Sequence, residues 1–176
     1  MDLQTWRTTL LDQLELSGPE AQATAQFIRQ RRVRVGFRKP LTRVSAYWTV
    51  RGNVYLNNST YSLDSAVADP RLLCLIVHEA QHVRQGIPTA LSVYGELEAW
   101  QLDFRLFQQL TGRTLGPPLS ELLALPLSHD RDVLRRAQVL MREYGGKGYR
   151  ADLLPLYPWG NEVRWFFTRR PPTPPS

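Results

Sequence analysis

Cysteine is almost missing from this 176-residue chain, and so is lysine. The single Cys74 excludes an intramolecular disulfide, and its apolar neighbours suit a packing role. Long hydrophobic runs are missing too. The longest, Leu72 to Val77, falls far short of the roughly 20 residues that span a bilayer. Met1 to Arg7 has no basic segment followed by an apolar one, so no secretory signal is visible and a cytoplasmic location is expected. With Lys39 and Lys147 the only lysines, arginine supplies nearly all of the +6 net charge. Such a balance favours acidic partners in general. The densest cluster, Arg29, Arg31, Arg32 and Arg34 followed by Arg38, Lys39 and Arg43, would serve nucleic acid only if gathered on one face. It reads better as a solvated helix end running into an exposed strand face, and no nucleic-acid motif accompanies it.

Histidine is scarce, and its placement is informative. Of three histidines, two fall in His78-Glu79-Ala80-Gln81-His82, at the end of the apolar run. On a helix, four residues advance about 400°, so both imidazoles lie on nearly one face and can reach one ion at about 2.0–2.1 Å. Glu79, rotated about 100° from His78, is placed to take a proton from water at the remaining coordination position. The flanks support the helix: Asp69 suits the N-cap, Pro70 the first helical position, Gly86 the position after the end, and Pro88 follows. The plain alternative is two partly exposed histidines on a core helix, since the motif fixes few positions.

A zinc site needs a third protein ligand. The next helical stretch, Tyr94 to Phe104, offers two glutamates. Glu96 shares a stripe with Ala99, Trp100, Asp103, Phe107 and Leu110, whereas Glu98 shares its face with Gln101, Arg105 and Gln109, which reads as solvated. An inward carboxylate without a partner would be costly, and a cation would explain it. Glu96 is the expected third ligand, with Glu98 in reserve.

His-Glu-x-x-His followed by a glutamate helix resembles the gluzincin metallopeptidases, and Glu96-x-x-Ala99 is similar to the Glu-x-x-Ala-Asp/Asn segment of minigluzincins and of peptidases that cleave repressors. The likeness covers roughly residues 53 to 110. It implies His78, His82 and Glu96 as zinc ligands and Glu79 as general base. One position departs from the pattern. Where the family has Asp or Asn to orient a histidine, this chain has Trp100, and Asp103, one turn further along the stripe, is the group available to replace it. Gluzincins often draw an oxyanion donor from C-terminal to the ligands. Tyr149 in the glycine-rich Gly145-Gly146-Lys147-Gly148 loop is favoured over His129 and Tyr144 for that task, and His129 near a helix start reads as exposed.

Elsewhere the chain carries ordinary core patterns. Residues 2–15 place Leu3, Trp6, Leu10 and Leu14 on one helical face, with Asp2 as cap. Ser17-Gly18-Pro19-Glu20 has capping-box spacing before a second helix that turns Phe27 and Ile28 inward. Val33, Val35 and Phe37 alternate as a strand, and residues 45–50 and 54–57 flank Arg51-Gly52-Asn53 as a hairpin. In the resembled clan the strand preceding the metal helix rims the cleft, and Val54 to Asn58 occupy that place as an expected edge strand. Helices are expected at Ser120–Leu125 and from Ser128 or Asp130 onward, with Gly145 as C-cap. Val163 to Phe167 reads as a final strand packed on the domain, and residues 169–176 as a disordered proline-rich tail.

The expectation is an α+β, zincin-like single domain over residues 1–168. A small, mostly antiparallel sheet packs on the His-Glu-x-x-His helix and a glutamate helix, with further helices at both ends. Its expected activity is zinc-dependent hydrolysis of a peptide or protein substrate. The alternatives are a non-catalytic zincin-like binding or regulatory module and a nucleic-acid-associated protein using residues 29–43.

Overall fold

The computed structural model describes residues 1–40, 44–146, 149–170 and 172. Arg43 of the arginine cluster, Lys147 and Gly148 of the glycine-rich loop, and Pro171 and 173–176 of the tail lie outside the described residues. The described residues form a small α+β structure with eight helices and a three-stranded mixed sheet. The chain divides into two compact units, Met1–Arg84 with Leu102–Arg113, and Gln85–Gln101 with Thr114–Ser176.

In the first unit, α1 (Leu3–Glu15) begins where Asp2 accepts a hydrogen bond from the Thr5 amide, and it buries Trp6, Leu10, Leu11 and Leu14. Helix α2 (Pro19–Gln30) starts differently from the expected capping box. Gly18, at φ +108°, is the N-cap with no side-chain bond, Pro19 takes the first turn, and the Ser17 hydroxyl turns back to the Gln13 carbonyl. Arg29 reaches from α2 to Asp12, at 2.6 Å, and to Glu15 on α1. These pairs are exposed, so the register of the two helices owes more to buried Ala21, Ala25 and Ile28. Each large side chain fully buried here contributes about 1.5–3 kcal/mol.

The strands are β1 (Val35–Arg38), β2 (Ala46–Trp48) and β3 (Val54–Asn57), in the order β1-β3-β2. The hairpin forms as expected: β2 and β3 pair antiparallel with Trp48 opposite Val54, and Gly52 takes a positive φ of 70° in the turn. Strand β1 pairs parallel to β3. The sheet is therefore mixed, with one parallel and one antiparallel ladder, instead of mostly antiparallel. The expectation that Val54 to Asn58 form an edge is also corrected. β3 is the central strand, with neighbours on both sides, and Val54 and Leu56 are fully buried. The edges are β1 and β2.

Helix α3 (Pro70–Gln85) carries the His-Glu-x-x-His motif. Asp69 caps it through the Arg71 amide at 2.9 Å, and its apolar half, Leu72, Leu73, Ile76 and Val77, enters the core shared with Trp6, Val35 and Leu56. Gly86, at φ +73°, ends it. No helix among the described residues is long and apolar enough to cross a membrane.

The second unit contains α4 (Ile87–Ala90), α6 (Leu119–Ala124), α7 (Arg131–Gly145), a 3-10 turn at Ala151–Leu153, and α8 (Trp159–Thr168). Helix α5 (Val93–Thr111) begins in this unit and ends in the first. Asp130 caps α7 through the amides of Asp132 and Val133, and its C-cap is Gly146, one residue beyond the expected Gly145. Gln101 was expected on a solvated face. It is buried instead, and its amide donates to the Leu122 and Leu125 carbonyls at the end of α6. The expected final strand at Val163 to Phe167 is a helix, α8. The Arg131 guanidinium lies 3.6 Å from the Trp165 ring centroid and pairs with Glu162 at 2.9 Å, so positions three apart face one way. No α8 residue is buried, and Trp159, Val163, Phe166 and Phe167 face outward.

Candidate metal centre

His78 and His82 lie one turn apart on α3, and their Nε2 atoms are 3.1 Å apart. The Nδ1 of His78 is 3.2 Å from Oδ2 of Asp103 on α5. A neutral imidazole that donates Nδ1–H to this carboxylate has its lone pair at Nε2. At that spacing the two nitrogens either share one proton, carried by His82 Nε2, or face a cation between them. The spacing suits one: ligands at about 2.0–2.1 Å in tetrahedral array lie roughly 3.3 Å apart. The Trp48 ring of β2 is 6.0 Å from the His82 ring, and His82 is only 2 % exposed.

Glu96 sits in the first turn of α5. Ser92 stabilises that turn, accepting from the Gly95 amide at 3.0 Å while donating to the Thr89 carbonyl at 2.6 Å. Gly95 itself is required by packing, because a Cβ there would lie 2.0 Å from the Thr89 carbonyl oxygen. His78, His82 and Glu96 are brought together: one ligand atom from each lies within 4.8 Å of the other two. They are the metal-competent group found among the described residues, and Glu98 is not part of it. The Glu98 carboxylate accepts from the Gln85 side chain at 2.8 Å.

Glu79 is on α3 between the histidines and is 8 % exposed. Asp103 is held above the usual carboxylate range by burial, opposed by its bond to His78. This bond matches the substitute role inferred for Asp103 from its stripe. Trp100, the departure from the resembled pattern, points its indole N–H at Glu96 Oε2 (3.2 Å) and at the Tyr149 hydroxyl (2.8 Å). The Tyr149 hydroxyl in turn donates to Glu96 Oε2. Tyr149 was expected as an oxyanion donor; here its proton is directed at the glutamate.

Of the other two donors considered, Tyr144 is half exposed, its ring 5.6 Å from that of Trp100. His129 is buried where exposure was expected, 4 % accessible between the rings of Tyr94 and Tyr157. Neither of its ring nitrogens has a hydrogen-bond partner among the described residues. The roles of Trp48, Ser92 and Gln101 were missed by the sequence reading. Ser92 alone left a local signal, a serine immediately before the first helical residue.

No protein-family model matches the chain, and no curated protein or solved structure gives a significant match.

Proposed function

We propose that this protein is a zinc-dependent peptidase of the gluzincin type, in which His78, His82 and Glu96 hold the metal. The observation that carries the reading is the convergence of two imidazoles and one carboxylate within 4.8 Å, two of them at i and i+4 on one buried helix. The donor set fits zinc, which favours nitrogen with a carboxylate and three protein ligands at catalytic sites. Bound there, zinc would supply Lewis acidity toward a carbonyl and lower the pKa of water.

The chain's own residues then have distinct tasks. Asp103 fixes the His78 ring and keeps its Nε2 unprotonated. Glu79 accepts a proton from the attacking water and passes it to the departing amine. Edge strand β2 is the surface suited to an extended peptide, because its outer edge has backbone groups to pair and Trp48 carries it against His82.

Glu79→Gln tests the assignment. It should bind zinc as the wild type does, fold as well, and cleave a diverse peptide library at least about 100-fold more slowly. Retained turnover in that variant would remove Glu79 from the mechanism.

A further inference from the structure

We infer that Trp100 and Tyr149 form a neutral two-donor clamp on Glu96 that takes up Oε2 and sets the carboxylate to bind a metal through one oxygen. The inference deepens the zinc reading and rests on it. The argument is one of proton counting. An indole N–H only donates, so the Trp100 contacts at 3.2 Å to Glu96 Oε2 and 2.8 Å to the Tyr149 oxygen are one shared proton. The Tyr149 oxygen accepts there, which leaves its single proton for Glu96. Both protons therefore converge on one carboxylate oxygen, matching its two lone pairs.

Neighbouring residues hold the clamp. Trp100 is 6 % exposed, and its ring lies 5.1 Å from the Tyr149 ring and 5.6 Å from that of Tyr144. Tyr149 is held near the end of α7, where its amide donates to the Gly146 carbonyl at 3.0 Å. Gly145 makes room for it, since a Cβ there would stand 2.6 Å from the Tyr149 Cβ. A tryptophan at this position thus serves the carboxylate ligand. The corresponding task at the histidine has passed to Asp103. Tyr149 is a positioning residue in this scheme and leaves oxyanion stabilisation to another group.

The test measures zinc affinity by chelator competition in wild type, Tyr149→Phe, Trp100→Phe, the double variant and Glu96→Ala. Cobalt(II) absorption spectra and thermal melts are recorded in parallel. Each single variant should weaken zinc by about 10–100-fold and shift the cobalt bands, and the double variant should lose less than the product of the two. Tyr149→Phe keeps the ring and removes one oxygen, so it decides the matter even if Trp100→Phe fails to fold. Wild-type affinity and spectra in Tyr149→Phe, with zinc lost in Glu96→Ala, would overturn the clamp and leave the zinc reading standing. The same unchanged affinity with a lower kcat would move the hydroxyl to the reacting carbonyl and also overturn it. A wild type that binds neither zinc nor cobalt would overturn both.

Discussion

The two kinds of ligand in the candidate metal group are supported in opposite ways. On the histidine side a buried carboxylate stands behind the ligand: Asp103 accepts from His78. On the glutamate side neutral donors stand behind it: Trp100 and Tyr149 donate hydrogen bonds to Glu96. The difference follows from what each ligand must be in order to bind a cation. An imidazole needs one nitrogen stripped, which requires an acceptor for the proton on the other. A carboxylate already carries its lone pairs, and needs donors that fix its rotation without neutralising it. The residue types behind the ligands thus report the chemistry expected of the ligands themselves.

Removing a ligand from either side gives the largest effect, and tests whether both belong to one site. His82→Ala and Glu96→Ala should each abolish stoichiometric zinc, read by metal analysis of the purified protein. Loss in His82→Ala alone would break the comparison at its glutamate end and send the third-ligand assignment to Glu98. A smaller effect sharpens the contrast between anionic and neutral support. Asp103→Asn keeps the shape but removes the charge, and should weaken zinc by about 10–100-fold. Asp103→Asn removes a full negative charge near the cation, whereas Tyr149→Phe removes one neutral donor, so Asp103→Asn should cost more affinity. The reverse order, measured by the same chelator competition, would mean that the glutamate's rotation limits binding more than the histidine's tautomer.

What could be read in advance divides along the same line as local and distant causes. Helix α3 was legible because its start, stop and ligand spacing lie within 18 residues, from Asp69 to Gly86. Glu96 was separable from Glu98 because helical periodicity places one of them with Trp100 and Asp103. The centrality of β3 was not legible: the alternation in β1 gives its faces but not which strand it joins. Nor was the burial of Gln101, which depends on carbonyls more than twenty residues away. At Val163 to Phe167 the run of aromatics fits either period. The choice of helix there accompanies Arg131, which both stacks on Trp165 and pairs with Glu162. For Tyr149 the sequence suggests a hydroxyl that a glycine-rich loop can carry toward the cleft; in the structure that hydroxyl donates to Glu96. A separation of 53 residues along the chain leaves no periodic trace.

The smallest predicted effect concerns Cys74, a buried thiol on the histidine side. Cys74 lies one turn before His78 on α3, and burial, reinforced by the negative charge of Asp103, pushes its thiol far above the usual range. In the unfolded chain a thiol ionises near pH 8.5. The folded state therefore holds a proton that the unfolded state releases, and stability must fall as pH rises above that value. Below about pH 8.5 the group contributes a constant amount; above it the contribution declines by up to about 1.4 kcal/mol per pH unit. Cys74→Ala lacks this term. In urea unfolding at pH 7, 9 and 10, the stability difference between wild type and Cys74→Ala should be constant to about pH 8 and then shift steadily against the wild type. Asp103→Asn should leave that decline in place through pH 10, because burial is the larger cause and keeps the folded thiol protonated. A difference that stays flat to pH 10 would mean that the thiol ionises as freely in the fold as outside it, and that α3 is more open around Cys74 than its 5 % exposure implies.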